Sequence, residues 1–164
     1  MKRSHNRSES CSPPVGGLSP SFLLAQVGAH AALKFAERLR KLELAPRHAG
    51  ILRILNSTPA ITQQALAATL GMVPSRLVEL VDEMESWGLI ERRENADDRR
   101  RYALHLTEKG RSTLDIIGRI SREHSRALLA AISDDEQRQL ATLLQRIADQ
   151  QGLARGVHPG YGSD

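Results

Sequence analysis

The densest concentration of chemistry-bearing side chains lies between Glu91 and Arg101, where Arg92, Arg93, Arg99, Arg100 and Arg101 stand among Glu91, Glu94, Asp97 and Asp98. Five guanidinium groups against four carboxylates do not make a simple cationic patch. The run Arg99-Arg100-Arg101 is nevertheless a separate positive edge, able to reach a phosphate or a groove of a nucleic acid. Other reactive groups are scattered. His5, His30, His48, His105, His124 and His158 show no i, i+4 pair and no Cys/His cluster of metal-ligand spacing. The single cysteine, Cys11, excludes an intrachain disulfide and a cysteine-based zinc site. It stands in a Ser/Pro stretch with no evident group to lower its pKa, and reads as an inert thiol. The sequence carries no Gly-x-Ser-x-Gly elbow, no phosphate-binding glycine loop and no metal signature. An enzyme would have to use residues that no spacing announces, so no catalysis, cofactor or metal is expected.

These groups need a scaffold. A chain of 164 residues is long enough for one domain with a real core and too short for two full-sized ones. Hydrophobic residues make up 40% but aromatics only 3%, so the core must be built from Leu, Ile, Val and Ala. With Glu, Arg and Gln, these are helix formers, and a mostly α protein follows. The formal net charge of +4 suits a polyanionic partner such as nucleic acid, although where the charge sits matters more than its sum. No stretch reaches the roughly 18 consecutive apolar residues of a membrane span. The basic start MKRSHNRSES is not followed by an apolar signal core, and a cytoplasmic protein is expected.

Residues 1–18 and 152–164 lack a hydrophobic period and read as flexible tails. A first helix, within 19–45, starts near Ser19–Pro20 and carries Leu24, Val27, Ala31, Phe35, Leu39 and Leu42 on one face. Pro46 ends this helix or opens the next, which covers about 47–56. The region 46–106 is the informative one. Thr62 can cap a short helix, Gly71 supplies a turn, and a longer helix from Pro74 carries Leu77, Leu80, Val81 and Met84 as its apolar stripe. Two helices joined by a tight glycine turn are the helix-turn-helix plan, whose second helix enters the major groove. After Gly88 the period changes. LIERR and RYALHLT alternate as strands about a charged tip, giving a hairpin attached to the helix-turn-helix. In the last helical region, 107–151, Thr107 caps a long helix running to about Ile132, and Ser133 with Glu136 forms a capping box for the next. The outer helices carry more apolar face than the middle can cover, and a second copy is the simplest cover.

The stretch SWGLIERRENADDRRRYALHLTEKGR, residues 86–111, resembles the MarR family of winged helix-turn-helix regulators. It has a helix-ending Gly-Leu-Ile, a wing with Asp-x-Arg, and Leu-x-Leu-Thr-x-x-Gly opening a long helix. LAPRHAGILRIL (44–55) and QQALAATLG (63–71) match further family segments, so the resemblance spans about Ser19 to Gln151. It implies a mostly α fold with a small β-wing, a winged helix-turn-helix domain and a helical dimerisation region. Helix 74–87 becomes the recognition helix and 91–106 the wing. Ser75 and Arg76 fall where the family touches base edges and nearby phosphates. Asp98 and Arg100 match the Asp-x-Arg in which a carboxylate orients a guanidinium toward the minor groove. Arg99, beside them, is either a phosphate contact or a solvated charge. Thr62 and Gln63 would lie near the backbone. On an isolated helix Arg76 would instead pair with Glu79 or Glu83. His30 and His48 lie on the helices that, by the resemblance, help enclose an effector pocket.

Two departures stand out. Val73 replaces the usual capping residue, and Glu79, Asp82, Glu83 and Glu85 make the recognition helix acidic. The resemblance implies a homodimeric repressor of a pseudo-palindromic duplex operator, released by a small aromatic or phenolic effector. The rival is a winged-helix module that turns its acidic helix to a protein or RNA.

Overall fold

The computed structural model describes residues 17–94 and 102–161. Along the chain lie α1 (Pro20–Leu39), α2 (Pro46–Ser57), α3 (Gln63–Leu70), α4 (Pro74–Ser86), β1 (Ile90–Glu94), β2 (Tyr102–Leu106), α5 (Glu108–Leu128) and α6 (Asp134–Gln150). Single 3-10 turns occupy Arg40–Leu42 and Pro159–Tyr161. The architecture is mostly helical with one two-stranded antiparallel sheet. Local chemistry starts most of these elements. Ser19, Thr62, Thr107 and Ser133 each accept a hydrogen bond from the amide three residues on, and Pro20, Pro46 and Pro74 occupy first-turn positions. Pro46 therefore opens α2. Gly71 ends α3 with a φ of 64° and turns the chain toward α4.

The sheet pairs Ile90 with Leu106 and Glu94 with Tyr102, in unbroken antiparallel register. A short bridge extends it, because Thr62 lies against Ala103 and the Leu104 amide donates to the Ile61 carbonyl at 3.0 Å. That bridge fixes the start of α3 to the root of the hairpin. The hairpin is latched to α5 in turn. Thr107 Oγ1 donates to the Gly88 carbonyl at 2.6 Å while accepting from the Gly110 amide at 2.9 Å. A Cβ on Gly110 would overlap the Leu89 carbonyl oxygen, which explains the glycine in Thr-x-x-Gly.

Leu39, Ile51, Leu52, Leu66, Leu77, Val81, Met84, Ile90 and Leu104 are the largest fully buried side chains, and they join α2, α3, α4 and the sheet into one core. The first helix contributes less than its periodicity predicts. Leu39 is buried and Phe35 half-buried, but Leu24 and Val27 are exposed.

Two expectations need correction. The long helix α5 ends at Leu128, one turn before Ile132. The Gln137 side chain donates to the carbonyls of Leu129 and Ile132, and this satisfies a turn that the Ser133 capping box then converts into α6. Residues 153–161, read as part of a flexible tail, pack against α2, and Val157 and Tyr161 lean on the core. Two isolated apolar side chains give no period in a sequence, yet they suffice to hold a short segment.

Candidate nucleic-acid interface

Helix α4, the second of the helix-turn-helix, presents its first turn to solvent. Val73 supplies no side-chain cap, Pro74 and Ser75 are exposed, and Arg76 is half-buried beside Glu79, Leu80 and Glu83. Without a side-chain acceptor, this helix start keeps amide donors available to an anion such as a phosphate. Leu77, Leu80, Val81 and Met84 fix the opposite face in the core. The departure at Val73 therefore does not prevent the helix from forming.

The acidic residues of α4 are mostly engaged within the molecule. Arg92 of β1 bonds Asp82 and Glu85 through its guanidinium, and its backbone amide donates to Glu85 at 3.0 Å. The same guanidinium donates to Gln63 Oε1 of α3 at 3.5 Å. Burial opposes the Arg92 charge, but the bonds to Asp82 and Glu85 outweigh it and hold the guanidinium's pKa above its usual value. One side chain thus ties the wing to both helices of the helix-turn-helix. Sequence reasoning missed this role. The available signal was strand alternation, since Arg92 must point the same way as Ile90 and Glu94.

Glu83 is engaged by α2. His48 is buried, its Nδ1 accepts from the Ala45 amide at 3.0 Å, and its Nε2 lies 3.1 Å from Glu83 Oε2. Because Nδ1 accepts, the proton belongs on Nε2, which donates to the carboxylate. Trp87 packs edge-on against the ring at 5.2 Å. Burial lowers the His48 pKa below 6.5; Glu83 works against this and Arg47 reinforces it. The ring is a neutral strut between α2 and α4, so both of its nitrogens are used and neither is open to a ligand.

Of the other predicted site residues, Thr62 spends its hydroxyl oxygen capping α3 at 3.2 Å from the Ala65 amide, and Gln63 stands beside it, held by Arg92. Both adjoin the hairpin root. Asp98, Arg99 and Arg100 lie outside the described residues, as does Cys11. Strands β1 and β2 carry the chain toward and away from that tip.

A second feature lies on the far side of α2. A groove of about 410 Å³ is lined by Phe35 of α1, Gly50 and Arg53 of α2, and Leu114 and Ile117 of α5, with Tyr161 from the C-terminal segment. His30 and His48 do not line it; His30 is exposed on α1. Arg47 and Arg53 lie in the matched stretch LAPRHAGILRIL, where nothing local distinguishes them from solvated helix charges.

The architecture has known counterparts. Residues 42–101 match the model of the MarR family. A transcriptional regulatory protein for the hcr operon of Thauera aromatica is 33% identical over 115 residues, covering 70% of this chain and 69% of that protein. The chain belongs to the MarR family. Among solved structures, a MarR-family transcriptional regulator from Rhodococcus sp. RHA1 superposes with a TM-score of 0.67 at 30% identity, covering 78% of this chain and 91% of its own. The transcriptional repressor CouR, bound to a 23-mer DNA duplex, superposes at 0.71 with 27% identity, covering 79% and 92%. This MarR-family chain is accordingly a winged-helix transcriptional regulator and not an enzyme. No helix among its described residues is long and apolar enough to cross a membrane.

Proposed function

We propose that the chain is a homodimeric repressor that reads a pseudo-palindromic duplex operator in the cytoplasm and is released by a small aromatic or phenolic effector. The observation that carries the duplex reading is the internal engagement of Asp82, Glu83 and Glu85 by Arg92 and His48. Their charge is drawn toward the wing root and α2, which leaves Ser75 and Arg76 leading the helix into a major groove. Arg100, oriented by Asp98, takes the minor groove, and Thr62, Gln63 and Arg99 adjoin the phosphates. The DNA-bound state of CouR supports the same partner here. The rival module, with an acidic helix turned to a protein, loses its main support when these carboxylates are already paired.

The dimer rests on exposed apolar surface. Phe22, Leu23, Leu24 and Val27 of α1 and Leu143, Leu144 and Ile147 of α6 all stand open on the single chain. Two copies that bury these faces place two recognition helices about one helical turn of DNA apart. The groove between α1, α2 and α5 joins the dimerisation helices to the reading head through α2. A ligand there that binds the non-fitting dimer better by ~1–3 kcal/mol shifts operator occupancy several-fold or more.

The test is a titration of the purified protein onto the intergenic duplex beside its own gene, against scrambled duplex, at several salt concentrations. Sequence-dependent binding that weakens steeply with salt is expected. Equal weak binding to both duplexes, with recovery of a protein partner instead, would sink the operator reading. Adding salicylate and 4-hydroxybenzoate to the same assay examines the effector half.

A further inference from the structure

The geometry points to the C-terminal segment Leu153–Tyr161 as an internal ligand of the groove between α1, α2 and α5, which an aryl anion must displace. This rests on the effector reading above and adds a competitor built into the chain itself. The Tyr161 ring lies against Gly50 so closely that a Cβ there would overlap the ring edge. A mid-helix glycine costs about 1 kcal/mol relative to alanine, so the close approach has a cost that its packing must offset. The segment holds its own shape: the Val157 amide donates to the Ala154 carbonyl at 3.2 Å, and the Tyr161 amide to the His158 carbonyl at 3.0 Å. The Arg53 guanidinium, from α2, lies 3.3 Å from where a Cβ on Gly156 would stand.

Tyr161 also divides the space. The groove of about 410 Å³ and a second cavity of about 240 Å³ share Phe35, His158 and Tyr161 as walls. Swinging the segment out would merge them into one site of a size ordinary for a small ligand. The chemistry of that site is aryl and anionic. Phe35, Leu114 and Ile117 supply apolar walls, and Arg53 is released from its contact with the segment. Arg47 lines the second cavity, and its Nε is buried without a hydrogen-bond partner among the described residues. A phenol already occupies the ring position, and a free aryl carboxylate or sulfonate offers the same ring with the charge that Arg47 and Arg53 would take.

The experiment measures 1-anilinonaphthalene-8-sulfonate fluorescence, with 4-hydroxybenzoate as competitor, on the full-length protein, Tyr161→Ala and Gly50→Ala. Alanine at 50 suits the helix but evicts the ring, so it tests the same idea without touching the tyrosine. If the segment fills the groove nine-tenths of the time, both variants bind the dye about tenfold more tightly than the parent protein. Absorbance titration of the phenols gives an independent readout. Burial holds the Tyr161 phenol above its ordinary pKa of 10.0, with Arg53 opposing this, and Gly50→Ala should return it to the ordinary range. Equal dye affinity in all three proteins, competed by 4-hydroxybenzoate, overturns the internal ligand and leaves the effector reading standing. Absence of dye and hydroxybenzoate binding even in Tyr161→Ala overturns both.

Discussion

The middle of the chain and its outer helices solve the burial problem in opposite ways. Among the described residues, every buried apolar side chain except Leu39 and Ile117 lies between Leu44 and Leu106. In that stretch α2, α3, α4 and the sheet cover most of one another's apolar side chains, with Val73 and Tyr102 among those left exposed. Helix α6 has no buried residue, and the first half of α1 is exposed although it carries leucine, valine and phenylalanine. The same kinds of side chain are therefore core in one region and uncovered surface in the other. The reading head is finished within one chain, whereas the outer helices are finished only by the second copy of the proposed dimer.

The largest effects should separate these two regions. Leu77 is fully buried at the centre of the head, and Leu77→Ala should lower folding stability by about 2–5 kcal/mol. Urea unfolding followed by far-UV circular dichroism measures it, and an unchanged midpoint would contradict the core described here. Leu144→Glu should behave differently. It places a charge on the uncovered face of α6 and should yield a folded monomer in sedimentation velocity, with the head's helical signal retained. A variant that sediments as the parent dimer would move the interface elsewhere.

Next in size come the DNA contacts. Arg100→Ala should reduce operator affinity about tenfold, a loss within the ~1–3 kcal/mol of a good groove contact. A fall of less than about twofold would remove the wing from the interface. Arg92→Ala tests the scaffold behind that contact. The guanidinium is mostly buried but its carboxylate partners are substantially exposed, so solvent screening limits its worth to about 1 kcal/mol of stability. Its larger consequence should be on DNA, because freeing Asp82 and Glu85 returns two carboxylates to the recognition helix. Operator affinity should therefore fall further than stability does, and should recover at least partly in Arg92→Lys. Loss of stability alone, with affinity intact, would reduce Arg92 to a structural residue.

What was legible in the sequence follows the range of the forces involved. Ser19, Thr62, Thr107 and Ser133 cap their helices through bonds to the residue three places on, and such bonds are visible in a window of a few letters. The helix-turn-helix and the hairpin announced themselves through period and turn chemistry. The links that assemble the site were not local. Arg92 meets Gln63 across 29 positions, and His48 meets Glu83 across 35. From the letters alone, the acidic run of α4 was a departure from the family pattern and His48 a candidate for the effector pocket. Both readings changed once Asp82, Glu83, Glu85 and His48 each had a partner. The Tyr161 contact with Gly50 was hidden for another reason, since a single aromatic in a Pro/Gly stretch has no periodicity to betray it.

The smallest effect should come from the strut between the head and α2. Protonating His48 would put a hydrogen on Nδ1, where the Ala45 amide already donates, and so abolish the cap of α2. Burial keeps the folded-state pKa below the ordinary 6.5, so the unfolded chain binds the proton more readily. Stability is therefore full above that value and declines as pH falls from about 6.5 toward the folded pKa. His124 contributes in the same direction, its pKa lowered first by burial and then by Arg38 and His30. Replacing His48 by glutamine keeps a polar side chain at the cap but removes the titration. Urea midpoints measured between pH 5 and 8, a span chosen around the ordinary histidine range, should slope less steeply for His48→Gln than for the parent. His124 contributes to the residual slope. Identical slopes in the two proteins would mean that the imidazole accommodates its second proton without losing the cap, and the strut would then not sense pH.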